Sequence, residues 1–145
     1  MKLIRRLFMP ALMAAVLMPL GVTASDSYMP GYMAFEGQLK GSDPPAWQMI
    51  ASVSTKTEAE INSRGNQLLS SLVSFVKKRG DAASGVLVTI RSEETSFGLW
   101  SKVMSTILEE ASSRTSSGAI EKLKITVTLT DPVSKAEKTL QFQKQ

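Results

Sequence analysis

Apolar and polar residues alternate along this chain with two periods, and the switches between them mark its elements. Tyr32–Lys40 shows period two, with Met33, Phe35 and Leu39 on one parity and Glu36, Gln38 and Lys40 on the other, the signature of a strand. Gly37 interrupts it and marks a bulge or a close approach. Gly41-Ser42-Asp43-Pro44-Pro45 is a turn by composition. Ala46–Ser54 then resumes the alternation, with Trp47, Met49, Ala51 and Val53 on one face. Two such runs around a short loop predict a β-hairpin.

The period then lengthens. Ile61, Leu68, Leu72, Val73 and Val76 recur at helical spacing, and Leu69 and Phe75 widen the stripe. Thr55 with Glu58, or Thr57 with Glu60, has the spacing of a capping box. Lys77-Lys78-Arg79 stands where the helix dipole favours cations, and Gly80 is a natural terminator. The spacing predicts a helix over Glu58–Arg79. Val86–Arg91 returns to period two, and because Leu87 is apolar as well as Val86, Val88 and Ile90, this strand is expected to be covered at least partly on both faces. Leu99, Trp100, Val103, Met104, Ile107, Leu108 and Ala111 make a second helical stripe, with Thr95 or Ser96 available as its cap. Leu123, Ile125, Val127 and Leu129 alternate with Lys124, Thr126, Thr128 and Thr130, a half-buried strand with one wet face. Asp131-Pro132 breaks it, and Glu137–Gln143 reads as its hairpin partner.

The order is ββαβαββ. Each helix has one apolar stripe and each outer strand one apolar face, so the pattern predicts a two-layer α+β sandwich. It has a four- to five-stranded mixed sheet with both helices on one face. A helix between two strands permits a right-handed crossover with parallel pairing.

Upstream of this domain the pattern is different. Lys2, Arg5 and Arg6 precede an uncharged apolar run, Leu7–Leu20, and Val22-Thr23-Ala24 places small residues before the Ala24–Ser25 bond. This is the tripartite form of a cleaved secretory signal peptide, too short and wrongly flanked for a membrane span. The organisation read from the sequence is a signal over residues 1–24 cut after Ala24, a flexible arm over 25–31, and one domain over 32–145. Arg5-Arg6 superficially resembles a twin-arginine signal. Nothing in the chain suits a cofactor folded in before export, so the general secretory route is expected. The leader and the absence of cysteine together suggest a bacterial periplasmic or secreted protein.

Composition narrows the chemistry. Three of the 17 Lys and Arg and none of the 13 Asp and Glu precede Ser25, leaving 14 cations against 13 acids. A nearly neutral domain of this kind has no field suited to nucleic acid. Histidine and cysteine are both absent, which removes the usual catalytic triads, common zinc sites and haem ligation. Neither a cofactor nor a metal is expected. Glu93-Glu94 and Glu109-Glu110 are adjacent pairs whose neighbours point apart, whereas a glycosidase needs carboxyls facing across a bond. Ser74 with Lys78, and Ser101 with Lys102, are drawable nucleophile pairs, but a catalytic lysine must be desolvated and Lys78 lies in a basic cluster.

The most unusual stretch is Tyr28-Met29-Pro30-Gly31-Tyr32-Met33, which holds both tyrosines. Amphipathic, adaptable side chains of this kind are enriched at contact surfaces. With Trp47, which follows Pro44-Pro45, the residues Tyr28, Met29, Tyr32 and Met33 are the candidate partner contacts. The plainer alternative is that Tyr32 and Met33 simply open the first strand. Ser70, Ser71, Ser74 and Gly65 make one side of the first helix small, suiting a close helix contact, a binding face or plain solvent exposure. By elimination the expectation is a non-catalytic envelope protein that binds another envelope protein, as an assembly accessory or an inhibitor or immunity factor does. It has no stable membrane insertion once the signal is removed, and a homo-oligomer remains open. A positive element is the last strand, whose free edge can accept a strand from another chain. The alternative is a small-ligand binder, or a hydrolase working with carboxylates and lysines alone, built around Trp47 with the Gly41–Pro45 loop or around Arg91 with Glu93 and Glu94. Intact-mass measurement of the protein recovered from the envelope fraction is expected to show a chain beginning at Ser25; retention of Met1–Ala24 rejects the leader reading.

Overall fold

A computed structural model describes residues 27–29, 31–116 and 118–142. The leader expected over 1–24, with its cleavage after Ala24, lies outside the described residues. The elements are β1 (Ser27–Met29), β2 (Tyr32–Gln38), β3 (Trp47–Ser54), α1 (Glu58–Arg79), β4 (Ala83–Arg91), α2 (Phe97–Arg114), β5 (Lys124–Thr130) and β6 (Glu137–Phe142). They form one sheet in the order β1-β2-β3-β4-β5-β6. The β3–β4 and β4–β5 pairs are parallel, and the outer pairs are antiparallel. From β2 onward this is the expected α+β architecture, a five-stranded mixed sheet in the order ββαβαββ with two helices on one face, to which β1 adds a short edge.

Within the segment 25–31, Ser27–Met29 form that edge. Ser27, Tyr28 and Met29 pair with Ala34, Met33 and Tyr32, and Gly31 turns the chain at φ 82°, a conformation that costs glycine little. Backbone pairing holds a segment whose composition alone marks it as loose.

The helices cover one face of the sheet. In register across the strands, Ala34, Ala51, Val88 and Val127 form one buried row, and Tyr32, Val53, Ile90 and Leu129 the next. In β2 the core therefore takes Tyr32 and Ala34, and Met33 and Phe35 turn to the opposite face. The smaller residue wins because Ala34 sits under α1, where close packing leaves no room for a large side chain. The Tyr32 hydroxyl bonds to Ser71 Oγ at 2.6 Å and donates to the Gln67 carbonyl at 3.3 Å, so the buried phenol is satisfied from α1. Burial pushes the Tyr32 pKa up, against a smaller lowering by Ser71. The expectation that β4 is covered on both faces is corrected too: Leu87 is 41% exposed, because both crossovers place their helices on the same side.

Local signals set α1. Thr57 is its N-cap, accepting from Glu60 N–H at 3.2 Å, while Glu60 Oε1 accepts from Lys56 and Thr57 N–H; those two bonds lower the Glu60 pKa. Of the two capping boxes compatible with the spacing, the second forms. Thr55 is buried instead. At the other end of α1, Arg79 Nε lies 2.8 Å from Glu36 Oε1 and Lys78 Nζ 3.9 Å from the same oxygen. The Arg79 guanidinium stacks on Trp47 at 3.4 Å from the ring centroid. This Glu36–Arg79–Trp47 stack ties the end of the helix to the start of β3.

Between the helices the controlling residue is Gly65. It is buried, and a Cβ there would lie 2.9 Å from Val103 Cγ1 and 3.6 Å from Ile107 Cδ1. The small side of α1 is thus used for close helix contact at Gly65 and for the Tyr32 bond at Ser71, whereas Ser70 and Ser74 are exposed. Gly65→Val is expected to destabilise the fold by about 1–3 kcal/mol through overpacking. Adding Val103→Ala should recover part of that loss, as read by urea unfolding; additive effects in the double variant exclude the contact.

Candidate functional site

In parallel sheets, ligand sites tend to form beyond the carboxyl ends of the strands. Here those ends are Thr55 after β3, Ser92 after β4 and Asp131 after β5, and all three are buried. Trp100 Nε1 donates to Thr55 Oγ1 at 3.4 Å, and Thr55 Oγ1 donates to Ser92 Oγ at 3.3 Å. Thr55 N–H donates to the Arg91 carbonyl and Ser92 N–H to the Thr130 carbonyl, each at 3.0 Å. The fully buried indole of Trp100 lies against these strand ends, and its one polar atom is satisfied by Thr55.

Asp131 closes the same end. Its Oδ2 accepts from Glu94 N–H at 3.0 Å, and its Oδ1 accepts from Val133 N–H at 2.8 Å and Ser134 N–H at 3.2 Å. These bonds, Glu94 first, hold its pKa down at about 2 against an ordinary 3.8. A carboxylate stabilised in its charged form by three backbone donors is a clamp between the β4–α2 and β5–β6 connections, and a poor general base.

The other carboxylates do not converge. Arg91, Glu93 and Glu94 are exposed, and Glu94 Oε1 accepts only a long bond from Ser134 Oγ at 3.4 Å. Glu110 pairs with Arg114 one turn along α2 at 2.9 Å. Asp43 and the Gly41–Pro45 loop are mostly exposed, with Ser42 bonded to Leu39 and Ala46. Ser74 is exposed and Lys78 is drawn to Glu36, so no desolvated lysine faces a hydroxyl there. Among the described residues no group of three or more His, Cys, Asp and Glu side chains could hold a metal ion, and no helix is long and apolar enough to cross a membrane.

Of the residues singled out as partner contacts, Tyr28, Met29, Tyr32 and Met33 are cross-strand neighbours of β1 and β2, and Trp47 lies apart at the start of β3. Tyr32 is 2% exposed and points into the core, which removes it from any surface. Trp47 is half-buried beneath Arg79. Tyr28 and Met29 lie in β1, where Tyr28 pairs with Met33. Met33 itself is on the open face, 37% exposed.

That open face carries the feature sequence reasoning missed. Phe35, Ile50 and Leu87 are directly in register across β2, β3 and β4, and Met33 lies one rung away. With strands about 4.8 Å apart, this is an apolar row about 10 Å wide. Its continuation across β5 and β6 is polar, with Thr126 and then Gln141. The neighbouring rung from Met33 runs through Ser52, Thr89 and Thr128. The signal lay in β4, where Leu87 breaks strict alternation. Its meaning was inverted because, among the described residues, no second layer covers this face.

A second surface lies on the helix side. Two helices each about 10 Å across cover about four strands, so β6 projects beyond α2. There a groove of about 490 Å³ opens between Leu108, Ile120, Leu123, Ile125 and Phe142, with Glu109, Ser112 and Glu121 at its walls. Ser112 Oγ donates to Glu121 Oε2 at 3.0 Å.

These features describe a two-layer α+β domain with hydrogen-bonded strand ends, one flat open sheet face and one apolar groove. Comparison with family models, curated proteins and solved structures finds no match.

The Asp131 clamp has a definite pH signature. Because the folded pKa is depressed, the stabilisation is complete above the ordinary carboxylate range and is lost as pH falls through about 4 toward about 2. Asp131→Asn should lower Tm by a constant amount above about pH 5, and the gap should narrow progressively toward pH 2. A pH-independent gap excludes the charged clamp.

Proposed function

We propose that this chain is an exported, non-catalytic envelope protein that acts by binding another protein, with the open sheet face as its contact surface. The observation that carries this reading is the row Phe35–Ile50–Leu87 with Met33. Contiguous apolar side chains left outside a core, rimmed by polar ones, mark interaction sites more often than accident. Thr89, Thr126 and Thr128 supply such a rim, with Arg91 and Lys124 beyond it. A flat face of this kind suits a macromolecular partner. A small molecule needs concavity and convergent polar groups, and the polar groups at the strand ends are bonded to each other.

The same features speak against the hydrolase alternative. Its best acid, Asp131, is a backbone clamp, and Glu93 and Glu94 diverge into solvent. Export rests on the leader pattern of residues 1–24, and an assembly accessory or an inhibitor both use a surface of this type.

Leu87→Ser on the open face should weaken capture of the envelope partner by about tenfold, the equivalent of about 1.4 kcal/mol for one half-exposed leucine, with Tm changed by no more than a few degrees. Thr106→Ser on the exposed side of α2 serves as the control. Undiminished capture by a Leu87→Ser, Phe35→Ser double variant that still folds rules out this face.

A further inference from the structure

The two edges of the sheet are unlike. β1 is three residues long and covers only the Tyr32–Ala34 part of β2. β6 is six residues long, contains neither proline nor glycine, and pairs with β5 without a register shift. Short strands, bulges, proline and charged side chains are the usual ways of closing an edge; β6 has no bulge or proline, and its charges, Glu137 and Lys138, stand at one end and leave Thr139–Phe142 uncharged.

Its backbone directions follow from one bond. Asp131 N–H donates to the Ala136 carbonyl at 2.9 Å, which makes that pair a hydrogen-bonded one. Alternation then turns the backbone groups of Lys138, Leu140 and Phe142 toward β5 and those of Glu137, Thr139 and Gln141 to the free side. On the side-chain level, Leu140 and Phe142 are half-buried on the helix side, beyond the cover of α2 and beside the groove, whereas Thr139 and Gln141 face the open side.

We propose that two copies of this chain dimerise by antiparallel pairing of β6 with β6, in the register that sets Leu140 opposite Leu140. A two-fold axis perpendicular to the sheet keeps both helix layers on one side. Opposed residues then share a face, and outward backbone groups meet outward backbone groups. The Leu140 register satisfies both conditions. It pairs Thr139 with Gln141 twice through backbone hydrogen bonds, and it lays the Lys138 stem and ammonium over Phe142 of the second copy. Between Lys138 and Phe142 it brings no like charges opposite each other. The near balance of 14 cations and 13 acids in Ser25–Gln145 adds no net repulsion between copies. The Leu140 register also sets the two half-buried Leu140 side chains against each other on the helix side. A foreign strand would need its own complementarity, whereas this strand is complementary to itself. The interface is separate from the open-face row, so the two readings stand or fall apart.

Sedimentation velocity of the chain beginning at Ser25 should show a dimer. Thr139→Pro removes an outward N–H and spares the β5–β6 ladder, so it should weaken the dimer by about tenfold or more with the circular dichroism spectrum retained. Leu140→Cys tests the register without relying on destabilisation. The chain has no cysteine of its own, so mild oxidation should give a covalent dimer through the single introduced thiol, and Thr139→Cys should cross-link much less. Leu87→Ser should leave the dimer intact. A monomer at all concentrations, a dimer indifferent to Thr139→Pro, or equal cross-linking at 139 and 140 overturns the proposal.

Discussion

Parallel pairing of β3 with β4 and of β4 with β5 governs most of this structure. Each parallel step needs a crossover long enough to return the chain to the same end of the sheet, and here each crossover is a helix. Both steps advance in one direction, so crossovers of one hand place both helices on one side. The sheet therefore has a core face, where Ala34, Ala51, Val88 and Val127 sit in one buried row, and a face that no second layer of the described residues covers. It also outgrows its cover, since two helices are narrower than six strands. The open row and the exposed β6 flank are both consequences of that mismatch.

Given one-sided cover, stability depends on how closely the helix layer approaches. Gly65 lets α1 and α2 meet at a distance no other residue permits. Three contacts match polar atoms inside the fold: Tyr32 with Ser71, Trp100 with Thr55, and Thr55 with Ser92. Unmatched, each would cost more than the bond contributes. The Glu36–Arg79–Trp47 stack and the Asp131 clamp act at opposite ends of the strands, one beside the start of β3 and the other after β5.

Much of the fold was legible because its signals are local. The helix Glu58–Arg79 carries its cap, stripe, basic last turn and terminal glycine within its own span, and the strand around Ile125–Leu129 alternates without a fault. The candidate contacts were far less legible. Tyr32 and Met33 are adjacent, chemically suited to a surface, and end on opposite faces. Trp47 looked available after two prolines, but Arg79, 32 positions later in the chain, lies over it. Asp131 reads as a strand breaker, and its bond to Glu94 spans 37 positions.

The linear pattern by itself determined the two helices, the strands from β2 onward and their order, and the absence of histidine and cysteine. Those properties follow from short-range periodicity and composition, and both survive any arrangement in space. Only the tertiary structure decided which parity of β2 faces the core, that Leu87 is 41% exposed, that the Trp100 indole bonds to the strand end at Thr55, and that β6 is a longer edge strand than β1. Each of these depends on register and on where the helices lie across the sheet, quantities set by contacts between residues far apart in the chain.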